Sequence, residues 1–240
     1  KKQYDQGNEK LYLKQAYDTA NLFMSVKKIF MTLEGLDSID AMPDKDGKVK
    51  LLYRKKHAAL LNILRRNLYN GGVYFIKHEN HREAYNFFDM YLDSDRQPLF
   101  SDYKYNENDK NMSIAAYWAV YCGYKLQDPK ATLHHAYLAL KDTHHHHFML
   151  QYLAETYKLE KDTIRYVNVL EEGFEKYPHF SFFFPRLIEY YTKKKDYEKA
   201  LSLCDKALKA DSTSTIYRFT KSSVLMSLKR YDECIDICKK

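Results

Sequence analysis

Four histidines stand together at His144–His147, within KDTHHHHFML. Imidazole binds transition metals and changes charge near neutral pH, so the run raises two chemistries, a metal centre and a pH switch. Four adjacent residues cannot all aim at one ion, and no carboxylate or thiolate pattern accompanies them, so the run reads as a loop. Cys234 and Cys238 share a helix face, but no second Cys or His pair follows. With Cys122 and Cys204 they read as buried thiols. In DKDGK, placing Gly47 at the sixth position of a calcium loop puts Asp44 and Asp46 at ligand positions. Met42 and Tyr53 then stand where the first carboxylate and the bidentate Glu belong, so an Asp-Gly turn is the reading. No nucleophile motif, HExxH or Gly-rich phosphate loop occurs. No catalytic residue, metal ligand or cofactor is assigned, and the chain reads as non-enzymatic.

What must position any site is a set of helices. The chain has 240 residues with only 7 Gly and 5 Pro, so long helices fit better than many short strands. Its 23 Tyr let helices bury rings while hydroxyls reach water. The net charge of +7 is spread over 39 basic and 32 acidic residues, the mark of solvated helix faces rather than of a nucleic-acid surface. Even the densest basic stretch, YRKKHAALLNILRR at 53–66, spaces Ala58, Leu60, Leu61 and Leu64 as one helix face, and predicts a packed helix with a wet basic side. No uncharged apolar run reaches membrane-span length. The compartment stays unassigned. If a signal peptide preceded Lys1 and was removed, a periplasmic or other extracytoplasmic location is favoured.

The helices recur. DYEKALSLCDKALKADS at 196–212 places Tyr197 before Ala200 and Ala207; a shift of 34 residues reproduces the pattern as Tyr231 and Cys234. A shift back of 34 puts Leu170, Gly173 and Pro178 in register with Cys204, Ala207 and Ser212. Small residues at fixed places let paired helices approach, and large ones fill the gaps between pairs.

The pattern resembles the tetratricopeptide repeat. Repeat 147–180 carries Leu150, Leu153, Ala154, Tyr157, Leu170, Gly173 and Pro178 at consensus places, with Tyr166 a departure. Repeat 181–214 carries Phe184, Leu187, Tyr191, Ala200 and Ala207. The repeat at 215–240 stops inside its second helix. A weaker copy spans 113–146, with Ala136 and Ala139, and a good one spans 65–98, with Leu68, Gly72, Phe75, Ala84 and Phe88. Between these two, 99–112 reads as an inserted polar loop. Residues 1–64 are expected to form a helical cap or degenerate repeat. One long helix spans 9–36, with Leu13, Ala16, Ala20, Phe23 and Val26 on one face, and a turn-rich connector follows at 38–50. The chain is also similar to repeat proteins common in Bacteroidetes.

The resemblance implies an all-α fold, a right-handed superhelical solenoid of about five helix pairs plus the cap. It also implies that the first helix of each repeat lines a concave groove for a peptide or partner helix. Carried onto this chain, the groove residues are Tyr69, Asn70, Tyr117, Tyr121, Phe148, Gln151, Tyr152, Glu155, Phe182, Arg186 and Glu189. In the last repeat they are Ile216, Phe219, Thr220 and Ser223. Of the cations and amides with which some family members grip a chaperone's C-terminal carboxylate, this chain keeps only Arg186 in place, so such a clamp is not expected. The expected function is protein interaction. Self-association through the C-terminal end and single-stranded RNA binding are the alternatives, and no partner is named.

Overall fold

The computed structural model describes residues 1–239. Among them are fourteen α-helices and two short 3-10 turns, and no strand. None of the helices is long and apolar enough to cross a membrane. The chain divides into two compact units, Lys1–His144 and His145–Lys240.

In the second unit the helices are α9 (His146–Leu159), α10 (Thr163–Lys176), α11 (Phe183–Lys193), α12 (Tyr197–Ala210), α13 (Thr215–Ser227) and α14 (Tyr231–Cys238), each packed on the next. The turn inside each pair is the same. Lys161, Lys195 and Lys229 all adopt φ near +60°, 34 residues apart. The residue after each donates its N–H five residues back, to the carbonyls of Tyr157, Tyr191 and Leu225. This left-handed turn closes the carbonyls at the end of the first helix. Asp162 and Asp196 then cap the second helices, accepting from the N–H of Arg165 (2.9 Å) and Lys199 (3.1 Å). Of the places kept by the 34-residue period, Leu150, Leu153, Ala154, Leu170, Gly173, Phe184, Leu187, Tyr191, Ala200 and Ala207 are buried, and Tyr157 and Pro178 half-buried.

The first unit holds α1 (Lys2–Tyr12), α2 (Thr19–Asp40), α3 (Arg54–Lys77), α4 (His81–Asp93), α5 (Tyr105–Asn108), α6 (Met112–Lys125), α7 (Pro129–His134) and α8 (Ala136–Ala139). Glu79 and Gln127 repeat the left-handed turn, and Asn80 and Asp128 the cap. The step from Glu79 to Gln127 exceeds the period by 14 residues, the length of the 99–112 insertion.

Four expectations need correction. The segment 9–36 is two helices, not one. Lys14 turns left-handed at φ 54°, Asp18 caps α2, and Gly7 lies close enough to Leu22 that α1 folds back along α2. Leu13 and Ala16, read as part of the apolar face, sit exposed in that turn. A boundary at 64–65 falls in the middle of α3, which runs unbroken from Arg54. The 99–112 insertion is not a free polar loop: Leu99, Phe100 and Tyr105 are buried, with Phe100 against Phe30. The basic stretch 53–66 is not wholly wet. Arg54 makes two hydrogen bonds to Asp37, at 2.9 and 2.8 Å, and Arg65 is 5% exposed. The DKDGK turn is as expected, with Asp44 accepting from the N–H of Asp46 and Lys48 and Gly47 at φ 77°. Of the four thiols, Cys122 and Cys204 are buried and Cys238 is exposed.

The histidine run is split. His144 and His145 precede α9, whereas His146 and His147 begin it and pack on Tyr177, with His147 also edge-on to Phe180. Burial lowers the pKa of both, helped by the charge of Lys176 at His146 and of His145 at His147, and opposed at His146 by Glu172. A folded pKa below the unfolded value means that the unfolded chain takes the proton first. Stability is therefore full above about pH 6.5 and falls as pH drops through the lowered folded values. The denaturation temperature of the wild type is expected to fall between about pH 7.5 and 5.5 more steeply than that of His146→Phe/His147→Phe, which keeps the ring contacts. Parallel curves would refute it. The comparison must be differential, because Glu34, pushed up to about 7 by burial and the nearby Asp93, changes stability in the opposite sense across the same range.

Candidate functional site

The carried-over groove residues meet different fates. In the first unit, Tyr69 and Asn70 line a pocket of about 460 Å³ together with Asn62, Arg65, Arg66, Tyr91, Asp109 and Asn111. Asp109 and Asn111 come from the insertion, so its chain supplies one wall. Tyr69 is half-buried, edge-on to Phe88 and tilted against Tyr91, and burial raises its pKa. Tyr117 and Tyr121 do not line this pocket. Tyr117 is core at 5% exposure, and Tyr121 sits edge-on to Trp118 and His81.

The floor of the pocket is held by Arg65. Its guanidinium lies 3.7 Å from the ring centres of both Tyr91 and Tyr105. It donates to Ser94 Oγ at 2.7 Å and to the Tyr91 carbonyl at 3.0 Å, and it pairs with Asp109. Burial works against the Asp109 charge, but hydrogen bonds from Arg65, the Tyr91 hydroxyl and the Asn111 N–H outweigh it and hold the carboxyl below its usual range. A planar cation between two rings with donors on its edge is a geometry that lysine does not reproduce.

In the second unit, first helices of successive pairs lie side by side: Arg186 of α11 reaches Glu155 of α9 at 3.0 Å, and Tyr217 of α13 packs edge-on to Phe184 of α11 at 4.8 Å. Arg186 also covers the Phe182 ring at 3.6 Å and donates to the Phe182 carbonyl. Tyr152 and Phe182, carried over as ring anchors, are both buried at 7% exposure. Phe148 is half-buried, stacked on Tyr152 and edge-on to Phe180. Gln151 is half-buried, and Glu189 is exposed and paired with Lys193. The apolar side chains standing in solvent at the corresponding places are Ile216 (68% exposed) and Phe219 (75%).

One side-chain cluster follows no sequence motif. Asp89 and Asp93 are one turn apart on α4, and His134 and His135 sit at the junction of α7 and α8. His134 Nδ1 is 3.1 Å and His135 Nε2 2.8 Å from the same oxygen, Asp89 Oδ1. Adjacent residues of an unbroken helix point about 100° apart and cannot do this. The break at His135 (φ −109°, ψ 12°), inside what the period makes a single second helix, turns both rings to one carboxylate. The sequence signal was an i,i+4 acidic pair and a His-His pair 45 residues apart, which no local pattern connects.

These paired, 34-residue units define a helical repeat protein. No family model matches the sequence, and no curated protein matches it. Among solved structures, a de novo designed helical repeat protein aligns at 15% identity over 93% of this chain and 100% of that one, with a TM-score of 0.29. A score that low does not establish a shared fold; the class rests on this chain's own repeated turns, caps and buried places.

Proposed function

We propose that the chain is a non-catalytic protein-interaction scaffold of the tetratricopeptide type, and that it binds an extended peptide or partner helix along the first-helix face of its second unit. The observation that carries this reading is the pair Ile216 and Phe219, large apolar side chains left in solvent at groove places of α13. They stand beside a face whose other members, Gln151, Glu155, Arg186 and Glu189, are polar and partly accessible. Exposed apolar anchors next to groups that set register are what peptide recognition uses. Tyr152 and Phe182 support the face from beneath rather than touching the ligand. Tyr69 and Asn70 belong to a separate polar pocket, and Tyr117 to the core. RNA binding draws less support, because Arg54 and Arg65 are both committed to internal carboxylates.

Panning a random peptide display library against the protein tests the proposal. Wild type is expected to enrich a peptide family whose affinity falls at least about tenfold on Ile216→Ser/Phe219→Ala, as for loss of ~1.4 kcal/mol or more at an anchor. Both residues are exposed, so folding is retained. Enriched peptides that bind the double variant as tightly as wild type would overturn the assignment of this face.

A further inference from the structure

We infer that Asp89, Asp93, His134 and His135 form a binding site for a divalent transition-metal ion, Zn²⁺ by ligand type. The four offer one ligand atom each, all within 4.8 Å of one another. Zn²⁺ holds imidazole nitrogen and carboxylate oxygen at roughly 2.0–2.2 Å, which places neighbouring ligand atoms about 3.3–3.6 Å apart. Both histidine nitrogens lie at hydrogen-bond distance from Asp89 Oδ1, 3.1 and 2.8 Å, so a bound ion would need them to part from it by only a few tenths of an ångström.

Three further features fit a cation rather than a hydrogen-bond network alone. The His135 side chain is only 3% exposed, so its ring is fixed on the cluster. Asp93 Oδ1 is buried without a hydrogen-bond partner, with Arg96 Nη1 3.7 Å away. Two carboxylates and two neutral imidazoles balance the charge of a divalent ion, with Arg96, paired to Asp93, and Glu34, beside Asp93, as the neighbouring charged groups. The His134 and Asp89 side chains, 39% and 31% exposed, leave an entry path. Tyr85, 3.4 Å from His134 Nδ1, stands behind as an outer partner. Binding requires that each ring carry its proton only on the nitrogen away from the metal.

The test uses full-length, tag-free protein stripped of metal, titrated with Zn²⁺ by calorimetry and with Co²⁺ by visible absorption. Wild type is expected to bind one Zn²⁺ with micromolar or tighter affinity and to give the intense spectrum of tetrahedral Co²⁺. Asp89→Asn and His134→Ala, both at partly exposed positions, should each weaken binding by more than about tenfold, since loss of outer-shell partners alone costs that much. His144→Ala/His145→Ala should leave the affinity unchanged. Absence of binding by wild type, undiminished affinity in Asp89→Asn and His134→Ala, or a loss confined to the His144/His145 variant would overturn the site.

Discussion

Arg65→Ala is expected to destabilise the first unit by about 3–5 kcal/mol, the size seen when one partner of a buried ion pair is removed. The variant strips Asp109 of its cation while leaving that carboxylate 15% exposed, and it leaves Ser94 Oγ and the Tyr91 carbonyl with only their hydrogen bond to each other. It also empties the space between the Tyr91 and Tyr105 rings, and so releases the insertion from α3. Arg65→Lys should recover little, because an ammonium cannot reach all of these acceptors and fill the slot between two rings. Arg66→Ala, one residue on and exposed, should change stability by less than about 0.5 kcal/mol. Chemical denaturation followed by circular dichroism measures all three. A small loss for Arg65→Ala, comparable to that of Arg66→Ala, would contradict the role assigned to the buried guanidinium.

Gly123→Ala should also destabilise, by about 1–3 kcal/mol, against the usual sign for such a change. Replacing glycine by alanine inside an exposed helix ordinarily stabilises by about 0.5–1 kcal/mol. At Gly123 a new Cβ would lie 2.5 Å from the Thr132 nitrogen and 2.8 Å from the Ala131 carbonyl carbon. Both are backbone, which cannot rotate aside as a ring can, so α7 would have to move off α6. Gly35, with nothing within 4 Å of its Cβ position, is the control and should gain stability on the same substitution. Equal shifts at both positions would mean that the α6–α7 contact is looser than described.

Much of this architecture is written locally in the chain. The 34-residue period, the small residues at Gly72, Ala84, Ala154, Ala200 and Ala207, and the Asx residue that opens α4, α7, α10 and α12 act on neighbours within one helix pair or the next. A reader of the sequence can therefore place α9 to α14 and the length of the insertion. Exposure along the first helices does not follow the period. Phe182 and Ile216 stand one period apart, yet Phe182 lies under Arg186 and Ile216 stands in solvent.

Residue type and spacing alone determined the helical class, the repeat and most of the buried positions that recur with it, because each follows from helix geometry over a few residues. Only the tertiary structure decided which of two adjacent arginines is buried, that His146 and His147 belong to a helix, and that His134 and His135 meet Asp89. Those outcomes depend on partners 30 to 50 residues away and on one broken helix. Burial and charge pairing are properties of the neighbours that folding brings, which no local pattern specifies.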